Sequence, residues 1–168
     1  MAEAADLAAR LHDAGDVATP QQAIAALHGA GLTVAVAESL TGGLLCGSLT
    51  QVPGASSVVC GGVITYSTQT KHDVLGVPAA TLEQYGAVSE QTAREMAIAV
   101  QRMFSSRVGV ATTGVAGPDR QEEKDVGTVF IGIAVDDQSL VVQLNGVGGR
   151  EQIRAQTVAR ALALLAQL

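Results

Sequence analysis

Apolar residues along this chain follow two periods, and the changes between them predict the order of the elements. Residues 3–12 and 21–30 carry Ala and Leu at helical spacing. Thr33–Ala37 and Ser57–Thr65 are instead short apolar runs of strand length, and residues 41–51 between them predict a further helix. Two helices followed by a strand, a helix and a strand are therefore expected for this part of the chain.

The second half of the chain predicts one more helix, three strands and a closing helix. These elements are the helix Ser89–Phe104 with Ser89 as N-cap, the strands Val108–Thr112, Gly127–Val135 and Leu140–Leu144, and the helix Arg150–Leu168. The last two strands are joined by residues 136–139, as in an antiparallel hairpin. We therefore expect an α/β fold, with residues 1–168 forming a single three-layer α/β/α domain on a mixed five-stranded sheet that ends in this hairpin. Residues 1–19 would form an N-terminal helical extension.

Composition supports one packed domain and a small-molecule ligand. The 168 residues are 48% hydrophobic but only 2% aromatic, so Ala, Val, Leu and Ile must build the core. The net charge is −6 and the basic residues form no run, which argues against a nucleic-acid partner. An acidic, glycine-rich domain with an apolar terminal helix is expected to form a homodimer.

The cysteines and the N-terminal residues indicate a reducing compartment. Cys46 and Cys60 form no C-x-x-C pair, and we expect both to be reduced thiols of the core. Met1–Asp16 contains acids and no long apolar run, so we expect neither a signal peptide nor a membrane anchor. A cytoplasmic location without a membrane partner is the resulting expectation.

Polar chemistry is concentrated in three blocks that each follow an apolar run. The blocks are Ala37–Gly43, Tyr66–Lys71 and Thr112–Pro118. Because ligands of open α/β sheets bind where the strands end, we expect the three loops to form one active site.

Ser39 is a candidate nucleophile, but a serine needs a base, because its hydroxyl is barely ionised near neutral pH. His12 and His28 lie on the opening helices and His72 follows Lys71, so no histidine stands at a strand end. Lys71, one of two lysines, is the better candidate, because burial can lower a lysine pKa enough to leave a neutral amine. Tyr66 could relay a proton or orient that amine.

Each of these residues also has a purely structural interpretation. A lone serine in this position is more often a helix N-cap, a lone lysine a solvated charge, and a lone strand tyrosine a half-buried aromatic. Thr113-Gly114 would by itself be a strand-to-loop turn. No nucleotide-binding glycine motif, nucleophile elbow or zinc-ligand spacing is present, so the sequence calls for no metal and no cofactor.

Taken together, the blocks make the chain similar to the family of the CinA C-terminal domain. The resemblance runs from about Leu27 to the C-terminus. It is carried by Ala37-Glu38-Ser39-x-Thr41-Gly42-Gly43, Pro53-Gly54-Ala55-Ser56, Gly62-x-x-x-Tyr66-Ser67 with Lys71, Leu75-Gly76-Val77, Gly86-Ala87-Val88-Ser89, Thr113-Gly114-x-Ala116-Gly117-Pro118, Val126-Gly127-Thr128-Val129 and Gly149-Arg150. Stand-alone members of that family are nicotinamide-nucleotide amidohydrolases.

The resemblance implies metal-independent hydrolysis of the carboxamide of nicotinamide mononucleotide (NMN) to nicotinate mononucleotide and ammonia, a step of pyridine nucleotide salvage. It implies Ser39 as nucleophile, Lys71 as general base, Tyr66 as an aid to proton transfer and Thr113 as a hydroxyl of the same pocket. Contacts to substrate are expected from Glu38, Thr41, Gly42, Gly43, Gly114, Ala116, Gly117 and Arg150. Amides after Ser39 and in the Gly114–Gly117 loop would hold the oxyanion or the phosphate. The pyrophosphatase activity of two-domain relatives is not expected.

The chain departs from the family pattern mainly after Gly117-Pro118. Asp119-Arg120-Gln121 replaces glycines of a substrate loop, which weakens the assignment of the substrate more than that of the chemistry. Leu40, Thr68 and Asp125 are further departures. Two alternatives therefore stay open: an amidohydrolase for a different amide, and a non-catalytic module that binds a nucleotide or a partner.

Overall fold

The computed structural model describes residues 8, 9, 11, 14, 15 and 17–168. Five strands form one sheet in the order β2-β1-β3-β4-β5. The strands are β1 (Val34–Glu38), β2 (Val59–Ile64), β3 (Val108–Gly114), β4 (Thr128–Val135) and β5 (Gln138–Asn145). The helices are α1 (Pro20–Gly29), α2 (Leu44–Thr50), α3 (Thr68–Asp73), α4 (Ala79–Tyr85), α5 (Glu90–Met103) and α6 (Arg150–Leu165), with a short 3-10 turn at Ala55–Ser57.

The sheet is mixed, as predicted, and its parallel half brings three loops to one edge. β1 pairs in parallel with both β2 and β3, and Glu38 at the end of β1 lies beside Ile64 and Thr112. β3, β4 and β5 are antiparallel, and β4 and β5 form the predicted hairpin. The carboxyl ends of β1, β2 and β3 therefore lie together, which is where ligand-binding loops of α/β sheets gather.

Alternate side chains of β1 enter two different hydrophobic cores, which confirms the three-layer arrangement. Val34 and Val36 pack with residues of α1, α2 and α6 on one face of the sheet. Ala35 and Ala37 pack with α5 on the other face. α5 lies close to the sheet because glycines lie beneath it: a Cβ on Gly109 would be 2.0 Å from the carbonyl oxygen of Ala97.

Several elements differ from the sequence prediction, chiefly around β2. This strand was expected to be buried but forms an edge of the sheet, so its side chains alternate between half-buried and exposed. Cys60 on β2 is consequently exposed, and the prediction of a core thiol is wrong for it. Cys46 on α2 is half-buried against the core, and both cysteines are unpaired. The sequence prediction also missed α3 and α4, which are two short helices of six and seven residues.

The remaining boundaries shift by a few residues. The predicted helix 41–51 begins only at Leu44, because Thr41–Gly43 form a turn in which Gly42 and Gly43 have positive φ values of 57° and 98°. Ala8, Ala9 and Leu11 are helical, whereas the rest of the predicted helix 3–12 lies outside the described residues. No helix in the described ranges combines the length and the apolar character needed to cross a bilayer.

Candidate active site

Ser39 lies at the first position after β1, where the chain turns away from the sheet. Its amide donates to the carbonyl of Thr112 at 3.0 Å, which extends the β1–β3 pairing by one residue. The side chain does not cap a helix, because the N-cap of α2 is Gly43. The hydroxyl is therefore available for other chemistry, although the residue is only 8% exposed.

Lys71 is buried beside Ser39, although it lies on a helix and not, as predicted, in a loop at a strand end. Ser67 caps α3 with its side chain, and Lys71 follows one turn later. The residue is 1% exposed. Its Nζ lies 3.1 Å from Oγ of Ser39 and donates to the carbonyl of Thr65 at 2.8 Å.

Burial lowers the pKa of Lys71 to about 8, while the negative charge of Glu122 acts in the opposite direction. No ion pair of the described residues includes Lys71. Its hydrogen-bond partners are two neutral oxygens, Oγ of Ser39 and the carbonyl oxygen of Thr65. Desolvation without a close counter-ion favours the neutral amine. A neutral amine 3.1 Å from the hydroxyl of Ser39 can accept its proton.

A pocket opens in front of the Ser39 hydroxyl, and loops from all three polar blocks line it. Its cavity volume is about 100 Å³, which is smaller than the roughly 300–1,000 Å³ of most small-molecule sites. The lining residues are Ser39, Leu40, Tyr66, Lys71, Ala87, Val88, Thr113, Gly114, Val115, Ala116, Gly117, Asp119, Gln121 and Arg150. The structure thus brings together all four predicted catalytic residues.

Hydrogen bonds fix the walls of this pocket. The hydroxyl of Thr113 donates to the carbonyl of Ala87 at 2.6 Å. Arg150, at the start of α6, donates to the hydroxyl of Tyr66 and, at 2.9 Å, to the carbonyl of Gly117. Tyr66 is 54% exposed and lies at the mouth of the pocket, so its hydroxyl contacts Arg150 and not the Lys71 amine.

Amide groups along the pocket are available to a ligand. Within the part of the chain that the structure describes, the N–H groups of Leu40, Ala116 and Gly117 have no acceptor. Backbone donors that lack a protein acceptor and line a pocket can bind phosphates or a developing oxyanion. Gly114 and Ala116 also line this wall, as predicted.

Four residues expected to contact substrate do not line the pocket. The carboxylate of Glu38 is buried against α2 and accepts hydrogen bonds from the amides of Gly43, Leu45 and Cys46 at 3.0, 3.1 and 2.8 Å. Thr41 is buried, and its hydroxyl pairs with that of Thr112 at 2.8 Å. The amide of Gly42 donates to the carbonyl of Ser39. Glu38, Thr41, Gly42 and Gly43 therefore build the turn that presents Ser39, and the donors expected for phosphate at Gly42 and Gly43 are already engaged.

Arg154 holds this turn from the outside, and the sequence analysis overlooked it. Its Nε and Nη2 donate to the carbonyls of Leu40 and Thr41 at 2.9 and 3.0 Å. Arg154 comes one helical turn after Arg150 on α6, so both arginines face the same edge of the sheet. The four-residue spacing of Arg150 and Arg154 could have identified Arg154 from the sequence, because residues four apart on a helix lie on the same face.

Comparisons with known proteins agree with this geometry. The profile of the CinA C-terminal domain matches residues 17–168. The chain belongs to this family. A CinA superfamily protein from Klebsiella pneumoniae has a crystal structure with a TM-score of 0.86 at 31% identity, covering 88% of this chain and 92% of the other. The competence/damage-inducible protein CihA from Agrobacterium tumefaciens has a TM-score of 0.80 at 40% identity over the same shares.

Full-length CinA-family relatives are much longer than this chain. A CinA-like protein of Frankia casuarinae is 47% identical over 136 residues, which are 81% of this chain and 31% of the relative. The chain spans about a third of the length of such relatives. These names establish the family and a common fold for the CinA C-terminal domain, and they state no reaction.

Proposed function

We propose that this CinA-family domain is an amidohydrolase that converts NMN to nicotinate mononucleotide and ammonia through a Ser39–Lys71 pair. The observation that carries the proposal is the contact of 3.1 Å between Nζ of Lys71 and Oγ of Ser39, both in residues that are nearly inaccessible to solvent. A lysine buried without a counter-ion is costly in a fold and is typical of a catalytic base. The family resemblance supplies the substrate.

In the acylation step, the neutral amine of Lys71 removes the proton of the Ser39 hydroxyl as Oγ attacks the carboxamide carbon. The carbonyl oxygen of the substrate becomes an oxyanion, for which the free amides of Leu40, Ala116 and Gly117 are suitable donors. Lys71 then gives its proton to the departing nitrogen. Ammonia leaves, and the nicotinate group remains as an ester on Ser39.

In the deacylation step, the same lysine acts on water. The neutral amine that remains after ammonia has left removes a proton from a water molecule, whose oxygen attacks the ester carbon. Collapse of the second tetrahedral intermediate breaks the bond to Oγ, which takes the proton back from Lys71. The products are nicotinate mononucleotide and the free enzyme.

Arg150 provides the positive charge that an anionic nucleotide needs. Among the residues that line the pocket, Arg150 and Lys71 are the cations, and Lys71 is committed to Ser39. The guanidinium of Arg150 stands at the mouth beside Tyr66, where a phosphate can reach it while the carboxamide lies near Ser39. Tyr66 would orient Arg150 in this arrangement.

The pKa of Lys71 predicts the pH dependence of the reaction. Because the free enzyme needs the neutral amine, kcat/KM for NMN should rise through a pKa of about 8 and then level off. A profile that is flat from pH 6 to pH 10 would contradict the role of Lys71 as a base.

The deciding experiment is ammonia release from NMN in chelator-treated buffer, with wild type, Ser39→Ala and Lys71→Ala compared. Each substitution should lower kcat by at least about 10³-fold. Circular dichroism should show that both variants keep the fold, and Lys124→Ala, at the other lysine of the chain, should stay active. Activity of either active-site variant equal to wild type would refute the mechanism. A folded but inactive wild type would instead favour another amide substrate or a binding module.

A further inference from the structure

Residues 119–125, which we call the pocket hairpin, fold back on themselves just after the pocket wall at Gly117. Gln121 and Lys124 form an antiparallel bridge, with hydrogen bonds of 3.3 and 2.8 Å between their backbone groups. Glu122 and Glu123 between them have positive φ values of 50° and 60°, as a two-residue hairpin turn requires. Glu122 therefore stands at the tip of the pocket hairpin.

The base of the pocket hairpin is held by its own side chains. Nε of Arg120 lies 2.9 Å from Oδ1 of Asp125, and Nη2 of Arg120 donates to the carbonyl of Glu123 at 2.9 Å. These contacts lie within the pocket hairpin and stabilise its conformation. Its position over the pocket then depends on what fastens the tip.

The carboxylate of Glu122 fastens the tip to the opposite wall. Its two oxygens accept hydrogen bonds from the amides of Ala87 and Val88, each at 3.0 Å. Hydrogen bonds to a charged acceptor are stronger than neutral ones, and two of them from one carboxylate also fix its orientation. Ala87 is the residue whose carbonyl accepts from Thr113, so the same segment is held from both sides.

Both ends of this connection line the pocket. Ala87 and Val88 form part of one wall, and Asp119 and Gln121 of the pocket hairpin form part of another. Among the described residues, the pocket hairpin is hydrogen-bonded to the rest of the fold by Glu122 at its tip and, at its base, by the amide of Thr128, which donates to the carbonyl of Asp125 at 3.1 Å. Glu122 is therefore the side chain that connects the two lining segments.

We propose that Glu122 is a positioning residue that closes the substrate pocket by fastening the pocket hairpin to the Ala87–Val88 segment. Its effect on activity rests on the proposed function, whereas its effect on the two amides does not. Glu122 also bears the negative charge that raises the pKa of Lys71 against the effect of burial. The other ionisable groups of the pocket are Tyr66, Asp119 and Arg150.

The first test is hydrogen exchange at the amides of Ala87 and Val88, followed by NMR. Glu122→Gln offers one acceptor oxygen to two donors, so exchange at one or both amides should become at least about tenfold faster. Glu123→Gln is the matched control, because it removes an equal charge from the neighbouring position of the same turn. The side chain of Glu123 makes no hydrogen bond or ion pair to the described residues, so both amides should stay protected. Equal exchange in wild type and Glu122→Gln would overturn the proposal.

The second test is the steady-state kinetics of NMN hydrolysis by the same variants. Glu122→Gln should raise KM about tenfold and move the acidic limb of the kcat/KM profile to lower pH, because the pKa of Lys71 falls when the nearby negative charge is removed. Glu122→Asp keeps the charge but shortens the reach, so KM should rise while the limb stays in place. Glu123→Gln should match wild type in both measurements.

The outcomes separate this proposal from the proposed function. If wild type releases no ammonia from NMN while Glu122→Gln alone loses amide protection, the proposed function fails and the fastening role of Glu122 stands. If wild type is active and Glu122→Gln has the kinetics of Glu123→Gln, the proposed function stands and the positioning role is refuted.

Discussion

Glu38 and Lys71 both adjoin Ser39, one along the chain and one through its side chain, and each is 1% exposed. Their surroundings are nevertheless opposite in kind. Glu38 accepts hydrogen bonds from three amides at the start of α2, so its buried charge is well compensated. Lys71 has one carbonyl and one hydroxyl as partners, and burial shifts its pKa down to about 8.

This difference distinguishes a buried charge that stabilises the fold from one that is suited to proton transfer. The Glu38 carboxylate is engaged by backbone donors on both oxygens, and it holds the Thr41–Gly43 turn in place. An ammonium group that is buried without a close ion pair loses its proton more readily, which is the property that a general base needs. A buried charged side chain with few compensating partners is therefore a candidate catalytic residue, whereas burial alone is not a sufficient criterion.

Glu38→Gln should produce the largest loss of stability. The amide side chain removes the charge, offers one acceptor oxygen to three donors, and presents an NH₂ group to an N–H group. We expect the free energy of unfolding, measured by urea denaturation, to fall by about 2–4 kcal/mol. Glu90→Gln is the control, because the Glu90–Arg94 pair is exposed and should contribute at most about 0.5 kcal/mol. Equal losses of stability in Glu38→Gln and Glu90→Gln would contradict the idea that the buried Glu38 carboxylate stabilises the fold more than an exposed one does.

Lys71→Met should have the opposite effect on stability while abolishing turnover. At pH 7 wild type buries a charge with few partners, so the methionine variant should be more stable by about 1–3 kcal/mol. The advantage should shrink as the pH rises from about 8 to 10.5, because the unfolded wild-type chain then binds a proton that the folded protein has released. Lys124→Met, at the other lysine of the chain, is the control for the removal of one positive charge. A stability difference between Lys71→Met and wild type that is constant over this pH range would contradict a depressed pKa in the folded state.

The sequence predicted the sheet well, because strand length and hairpin chemistry are local properties. The number of strands, the mixed sheet and the β4–β5 hairpin agree with expectation. The burial of β2 was predicted wrongly, because an apolar run rich in Val and Gly looks the same in a central strand and at an edge. β2 is an edge strand because β1, its single neighbour, pairs with β3 on its other side.

Within the candidate site, residue types were predictable but partners were not. Ser39, Lys71 and Thr113 were singled out, and they line one pocket. Glu38 was expected to contact substrate, because sequence position alone cannot distinguish a carboxylate facing a pocket from one facing the N-terminus of α2. Glu122 was overlooked because its partners at Ala87 and Val88 lie more than thirty residues away in the chain.

The buried hydroxyls of Thr112 and Thr65 extend the comparison to uncharged groups, with the smallest expected effects. The Thr112 hydroxyl is paired with that of Thr41, whereas the Thr65 hydroxyl, next to the carbonyl that holds Lys71, has no partner among the described residues. Thr112→Val should lower the free energy of unfolding by about 1–2 kcal/mol, because it leaves the Thr41 hydroxyl buried without its partner. Thr65→Val removes an atom that no bond compensates, so stability should stay within about 0.5 kcal/mol of wild type or increase. Thermal denaturation of the two variants measures both effects. A larger loss of stability in Thr65→Val than in Thr112→Val would show that the buried Thr65 hydroxyl, on the Lys71 side of Ser39, is as well compensated as the Thr112 hydroxyl on the Glu38 side.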